Sequence, residues 1–541
     1  MLYALLIASS ALLAGPDGRC IHDTGVFAVK RGQPEWLGWG GSERQQRFQS
    51  AQNAQLAADD IPKLKLKWSF GFAGASQAYS QPSVIGGRIF VGSADGKVYS
   101  LDAHTGCIYW EFNAYAGVRS AISIAHNDNG WSAYFADVRG SVYAVDAASG
   151  TLRWTVKPES HPATRITASP TLAAGRLYVA ISSVEAVIDA GPRKECCTFR
   201  GSVSAIDAVT GKMLWKSYTI TAEPQPVRKN QLGTQLWGPS GAPVWSAPTV
   251  DLRAGRVYVT TGDSYSDPVA ATSDAFLAFE LNSGKLLWWR QTTADDAYNL
   301  ACELPAPANT NCPQPAGHDF DFGSSALLTH LHSGRRALIA GQKSGVVYAV
   351  DPDRSGEILW QVSLGHGGTL GGIQWGSAAD AAHVYVALSD AKVRLTPPGT
   401  PGAQPSAVGP PMLLDPDEGG GLFALDLDSG KILWLTPHPG CTNKPGCSPA
   451  QSAAITVIPG AVFSGGLDGH LRAYATQSGR IIWDLDTVRD YDTANGVIAK
   501  GGSLDGPGPV IAGGFLYVTS GYGAFGGMPG NVLLAYSVDG K

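Results

Sequence analysis

Seven times the chain repeats nearly one phrase: YSLDAHTGCIYW (99–110), YAVDAASGTLRW (143–154), SAIDAVTGKMLW (204–215), LAFELNSGKLLW (277–288), YAVDPDRSGEILW (348–360), FALDLDSGKILW (423–434) and RAYATQSGRIIW (472–483). An eighth copy, LAYSVDGK (534–541), stops before its tryptophan. A strand-forming start, a polar turn with Ser-Gly or Thr-Gly, and a short strand closing on Trp describe one β-hairpin. Repetition of this kind predicts small sheets that bury their faces against one another. The missing tryptophan has a candidate in LKLKWSF (64–70), an alternating run with no hairpin phrase before it. If that strand completes the last sheet near 532–538, the ring closes and no sheet edge is left open. The fold class expected is therefore all-β: an eight-bladed β-propeller with tryptophan-docking repeats, closed by an N-terminal strand. Trp68, Trp110, Trp154, Trp215, Trp288, Trp360, Trp434 and Trp483 are then structural, packing between neighbouring blades.

The expected organisation is an N-terminal apolar segment or signal peptide over 1–19, an extension over 20–60 and one propeller over 61–541. The run LYALLIASSALLAG (2–15) resembles a signal-peptide core, although no Lys or Arg precedes it. It is too short to span a bilayer comfortably, so no transmembrane anchor is expected, and the protein is read as periplasmic or secreted. Cysteine spacing agrees with an oxidising compartment: Cys302 and Cys312 bracket one loop, Cys441 and Cys447 another, and Cys196 and Cys197 are adjacent. Cys20 and Cys107 are left over without an assigned pairing. Forty basic against 45 acidic residues, with no Lys/Arg run, argue against nucleic acid as a partner. The 541 residues contain no C-x-x-C-H, the attachment pattern of a c-type haem, and no Rossmann fingerprint within a βαβ pattern.

Loops in a propeller gather at the ends of its channel, where sites form. Successive repeat tryptophans lie 42 to 49 residues apart in the early blades and the last, but 61 to 74 apart between Trp154 and Trp434. The surplus includes 181–200, 216–245, 290–325 and 390–420. The first three are rich in Cys, Trp, Asp and Glu, which favours function; the fourth is Pro-rich and reads as a surface excursion.

These loops carry WLGWGG (36–41), GCIYWEFNAYAGVRSAIS (106–123), ECCTFRGSVSAID (195–207), VWSAPTVD (244–251), TTGDSYSDP (260–268), HDFDFGSS (318–325), GQKSGVVYAVD (341–351), GGIQWGSA (371–378) and GGSLDGPGPVIAGGFLYVTSGYG (501–523). In these stretches the chain resembles the quinoprotein alcohol dehydrogenases, eight-bladed propellers that bind pyrroloquinoline quinone (PQQ) and Ca²⁺. Its nearer resemblance is to their polyvinyl-alcohol dehydrogenase-like branch. The resemblance implies oxidation of an alcohol, secondary or bulky and polymeric, with electrons passed to a soluble cytochrome c or similar carrier. Such chemistry needs a base for the hydroxyl proton and a cation that polarises the acceptor. By position in the matching motifs, Glu185, Asp263 and Asp321 take the places of the family's Ca²⁺ ligands, a role that suits oxygen donors. Asp321 also takes the place of the catalytic base, with Asp319 its neighbouring rival. Lys343 matches the basic residue set against the quinone's reactive carbonyl. Trp245 matches the stacking tryptophan, with Trp237 as the nearby alternative. Cys196 and Cys197 match a lid disulfide in kind, but they follow Glu185 instead of preceding the position of Arg119. Arg119 and Thr167 match contacts to the cofactor's carboxylates, and Gln374 and Trp375 match an Asn-Trp pair. Tyr79 departs from the pattern, standing where many members have Glu.

Two rivals remain at this level. One is a cofactor-free propeller serving as an assembly or sensor module, since such proteins share the hairpin phrase. The other is a degenerate member that binds quinone poorly.

Overall fold

Eight antiparallel sheets of four or five strands, with four two-stranded ribbons beside them, form among the residues described by the computed structural model, which are 17–21, 27–404, 411–441 and 446–541. Blades 1 to 7 follow in chain order over 83–113, 123–156, 171–218, 249–291, 327–363, 378–437 and 456–486. Blade 8 combines Val510–Ala512, Phe515–Ser520 and Val532–Val538 with the N-terminal strand Leu64–Gly71. That strand pairs antiparallel with the last one, Leu64 opposite Val538 and Gly71 opposite Val532, so the closure expected from Trp68 is present. Residues 1–16, most of the expected signal segment, lie outside the described residues. No helix among the described residues is long and apolar enough to cross a bilayer.

The repeated phrase has a local physical basis. Its Asp caps the turn: Asp102 Oδ1 accepts from the backbone N–H groups of His104 and Thr105 and from Thr105 Oγ1, and Asp146 and Asp207 do the same. A one-residue register shift precedes the tryptophan in every blade, for example between Ser100/Trp110 and Leu101/Ile108. Such a bulge bends the outer strand and re-aims its side chain. The indole then lies over the turn glycine of the next blade. A Cβ on Gly150 would stand 2.7 Å from Trp110, and one on Gly430 2.5 Å from Trp360. The turn glycine is thus required twice, for its positive φ (73° at Gly150) and for the space the ring occupies. The indole N–H donates to a carbonyl of the same neighbouring blade, as from Trp68 to Ala103 and from Trp110 to Ala147. Blade 4 departs from this pattern. Trp288 Nε1 is buried without an acceptor, while Pro352 O, at the corresponding position, accepts from Arg256.

All eight cysteines are paired: Cys302–Cys312, Cys441–Cys447, Cys196–Cys197 and, for the two left open by spacing, Cys20–Cys107. The long insertions form short hairpins, Gln225–Lys229 with Gln235–Gly238 and Val393–Leu395 with Met412–Leu414.

Candidate active site

One pattern positions the site. In seven blades, the residues leading into the innermost strand face a common cleft: Tyr79, Arg119, Thr167 and Ser169, Trp245, Gly323, Trp375 and Gly506. Two turns between second and third strands, at Asp263 in blade 4 and Lys343 in blade 5, bring charge to the same end of the ring.

Asp263, Asp319 and Asp321 converge there, each offering a carboxylate oxygen within 4.8 Å of the others. All three are buried, as is Lys343. Lys343 Nζ donates to Asp319 Oδ1 at 2.8 Å and to Asp321 Oδ2 at 3.0 Å. The Asp263 N–H donates to Asp321 Oδ1 at 2.6 Å, and the Lys343 N–H to the Asp321 carbonyl at 3.0 Å. Gly262 is small by necessity, because a Cβ there would lie 2.2 Å from Asp321 Oδ1. Asp319 has a positive φ of 59°. Its segment is held by Asp296, whose carboxylate accepts from the N–H groups of His318, Asp319 and Phe320 at 2.7, 3.2 and 2.9 Å.

Three carboxylates around one ammonium cannot all ionise freely. Burial pushes Asp263 well up, reinforced by the charges of Asp321 and Asp319. Burial also raises Asp319, to about 7, against the pull of Lys343 and with a push from Asp321. Asp321 is buried too, but Lys343 and the Asp263 N–H outweigh that and hold it below the usual carboxylate range. Of the two carboxylates that share Lys343, Asp319 is therefore the one that takes up a proton first. Asp263 Oδ2 is a buried acceptor with no hydrogen-bond partner. A hard cation bound by carboxylate oxygens fits this donor set and supplies the missing partner.

Glu185, expected as the third ligand, does not join this group. Its carboxylate is buried at the start of the short helix Glu185–Ile188. There it accepts from the Thr198 N–H (2.8 Å), the Phe199 N–H (2.8 Å) and Thr198 Oγ1 (3.2 Å), with His161 at 3.6 Å. Asp319 stands with the other two carboxylates instead. Cys196 and Cys197, expected as a lid, do not line the cleft. They are buried in an apolar cluster with Phe199, Leu236 and Tyr265, apart from the residues that line the Trp245 cleft. Trp237 donates to Glu195 and is likewise absent from the cleft lining.

The remaining expected residues do meet. Trp245 forms the base of the cleft, edge-on to Trp375 at 5.4 Å between ring centroids and 5.5 Å from Lys343 Nζ. A Cβ on Gly323 would lie 2.2 Å from the Trp245 ring, so that glycine keeps the indole in place. Arg119 lies over Trp375 at 4.4 Å and makes no salt bridge among the described residues, although the Asp505 carboxylate acts on it at longer range. Thr167 and Tyr79 line the walls, whereas Gln374, although buried, is not among the lining residues and donates its amide to the Gly371 carbonyl. A flat ring with acidic substituents matches this combination of indole, guanidinium fork and hydroxyl.

Several contributors lay beyond the reach of motif matching. Asp505 accepts from Trp375 Nε1, and Tyr522 packs against Trp375 and Tyr79. Asp274 is fully buried with both carboxylate oxygens unpartnered, and burial and the charge of Asp296 push it well up. Asp505 and Tyr522 fall inside the matching stretch 501–523 but carry no assigned role there, and no quoted motif contains Asp274.

Comparison with known proteins bears on the same residues. A family model described as the glucose/ethanol/alcohol dehydrogenase β-propeller domain matches 157–366, and one described as outer membrane protein assembly factor BamB matches 60–232 and 343–528. A polyvinylalcohol dehydrogenase of a Pseudomonas species is 41% identical over 94% of this chain and 77% of its own length. Another, from Sphingopyxis sp. (strain 113P3), is 40% identical over the same shares. The crystal structure of the quinohemoprotein alcohol dehydrogenase from Comamonas testosteroni superposes with a TM-score of 0.66 at 18% identity, covering 98% of this chain and 84% of that one.

Proposed function

Because the chain belongs to the quinoprotein (PQQ-dependent) alcohol dehydrogenases, in their polyvinyl-alcohol dehydrogenase-like branch, we propose that it oxidises secondary or bulky polymeric alcohols in the periplasm. The observation that carries the site assignment is the buried trio Asp263, Asp319 and Asp321 around Lys343, whose Nζ lies 5.5 Å from the Trp245 ring that lines the cleft. The dehydrogenase model spans this entire group. The BamB match omits 233–342, which holds Trp245 and all three aspartates. A scaffold has no use for buried charges that cost free energy.

PQQ, when bound, supplies the two-electron acceptor, and a divalent cation such as Ca²⁺ makes it more electrophilic. Trp245 would support the cofactor's face, while Arg119 and Thr167 hold its acidic rim. Asp263 and Asp321 would hold the cation. Lys343 sets a positive charge, fixed by two carboxylates, where negative charge develops. A base within the Asp319/Asp321 pair removes the alcohol's proton. The resemblance points to Asp321. The hydrogen bonding favours Asp319, because Asp321 uses both oxygens on Asp263 and Lys343 whereas Asp319 engages one.

Electrons would leave to a cytochrome c. The deciding experiment adds PQQ and Ca²⁺ to the purified protein and records the absorption spectrum and dye reduction with alcohols. Turnover of a bulky secondary alcohol in preference to methanol is expected, and a clear preference for methanol would refute the substrate assignment. With Asp319→Asn and Asp321→Asn compared under the same conditions, the base is the residue whose loss collapses turnover while PQQ still binds. The other should alter the Ca²⁺ requirement.

A further inference from the structure

Residues 36–49 thread across the innermost strands of the ring. Trp36 exchanges backbone hydrogen bonds with Val84 of blade 1 at 2.8 and 2.9 Å. The carbonyls of Glu43, Arg44 and Gln46 accept from Val250, Leu328 and Ala379 of blades 4, 5 and 6, and Arg47 and Gln49 bracket Val457 of blade 7. Side chains extend the stitching, with Gln45 reaching Thr171 of blade 3 and Gln49 the Ile511 carbonyl of blade 8. The segment thereby satisfies inner-edge N–H and carbonyl groups in six blades and a side-chain hydroxyl in blade 3.

Arg47 lies near the end of this strap and is 1% exposed. Its guanidinium donates to the carbonyls of Ile455 and Trp39, to Gln81 Oε1 and to Thr456 Oγ1, and it lies 5.0 Å from the Trp39 ring. Every acceptor is neutral, and among the described residues no carboxylate pairs with it. Burial pulls it down to about 9. Burying a cation without a counter-charge is costly, so such an arrangement calls for a compensating role.

The neighbours of Arg47 are parts of the cleft wall. Trp39 itself lines the cleft. A Cβ on Gly376, next to Trp375, would stand 3.5 Å from Arg47 Cδ, and one on Gly508, next to Pro507 of the lining, 2.3 Å from Arg47 Nη2. Gln81, two residues beyond Tyr79, donates to the Trp39 carbonyl at 2.9 Å while accepting from Arg47.

We propose that Arg47 is a positioning residue for the cofactor cleft: it fixes Trp39 and the backbones behind Trp375 and Pro507 as one wall, and its uncompensated positive charge favours an anionic ligand in front of that wall. The proposal rests on the reading that PQQ occupies the cleft.

The test titrates PQQ, in the presence of Ca²⁺, into wild-type, Arg47→Lys and Arg47→Gln proteins. It follows tryptophan fluorescence and the absorption spectrum of the bound quinone, with melting of each PQQ-free protein recorded alongside. Arg47→Gln is expected to bind PQQ weaker by on the order of tenfold or more, the coupling ordinary between adjoining groups. Arg47→Lys, which keeps the charge but loses the fork, should fall between it and wild type with a shifted spectrum. A folded Arg47→Gln with wild-type affinity and spectrum, altered only in melting temperature, would reduce Arg47 to a staple and overturn the proposal. Where the Gln variant does not fold, unchanged PQQ affinity in Arg47→Lys overturns it equally. Failure of the wild type to bind PQQ removes the cleft reading itself, an outcome separate from normal wild-type binding with indifferent variants.

Discussion

Gly262→Ala isolates the orientation of Asp321 from its chemistry. The Gly262 backbone lies outside the left-handed region, so an alanine adds one methyl group without backbone strain. That methyl would stand 2.2 Å from Asp321 Oδ1, 2.7 Å from its Cγ and 3.0 Å from Pro243 Cγ. Ordinary contact begins near 3.4 Å, so the carboxylate has to move by about 1 Å, Pro243 closing the other side. The move breaks the 2.6 Å bond from the Asp263 N–H, a contact to an ionised group of the kind that contributes about 1.5–3 kcal/mol. It also tilts the oxygen that Lys343 holds at 3.0 Å. Misplacement of a reacting group by about 1 Å costs on the order of 10²-fold in rate. With PQQ and Ca²⁺ supplied, dye reduction by Gly262→Ala should fall by that order, with a modest drop in melting temperature. Gly191→Ala, whose Cβ meets only Lys194 Cγ at 3.9 Å, serves as the control and should behave as the parent. A folded Gly262→Ala with parental turnover would show that the position of Asp321 does not govern the chemistry, and the argument placing it at the reacting centre would fail.

Three further outcomes are expected. Lys343→Met leaves Asp319 and Asp321 buried without their shared ammonium, so the metal-free protein should lose about 3–5 kcal/mol of stability in denaturant titration; added Ca²⁺ should restore part of it, and an equal loss with and without Ca²⁺ would contradict a cation site there. Trp360→Phe should destabilise by about 1 kcal/mol more than Trp288→Phe, since Trp360 donates to the Leu427 carbonyl at 3.1 Å whereas Trp288 Nε1 has no acceptor; equal losses of denaturation midpoint would refute the docking role of the indole N–H. Asp468 is buried, but His438 and Arg472 outweigh that and hold it well below the usual range. A depressed folded value means that its contribution is fully present above the unfolded value of about 3.9 and is lost as pH falls through the folded one. Asp468→Asn should therefore flatten the decline in melting temperature below about pH 4, and an unchanged slope would reassign that decline to other carboxylates.

The propeller was legible in the sequence because its determinants are local and repeated. Most copies of the phrase encode their own acid-capped turn, a glycine at positive φ and an indole that covers the next blade's glycine, so the repeat specifies a ring. Trp68, standing alone ahead of the repeats, likewise announced the closing strand, because only one unpaired partner remained. Within the site, Asp263, Asp321, Lys343, Trp245, Trp375, Arg119 and Thr167 were identified through resemblance, and the fold brings them to one end of the channel. Chain order could not show which carboxylates meet. Asp263 and Asp319 come from different blades and touch because the turn at 263 faces the segment at 319, while Glu185, equally plausible as a loop acid, is captured by the N–H groups of Thr198 and Phe199. The adjacent cysteines read as a lid, yet their position after Glu185 places them inside an apolar cluster. Arg47 carried no sequence signal at all: in one dimension it is a lone arginine in a linker, and only threading 36–49 through the ring surrounds it with carbonyls and sets it behind Trp39. Local hydrogen-bonding and packing rules fix the blades, whereas the charges of the site are set by which loops the closed ring forces together, and that is a property of the tertiary structure alone.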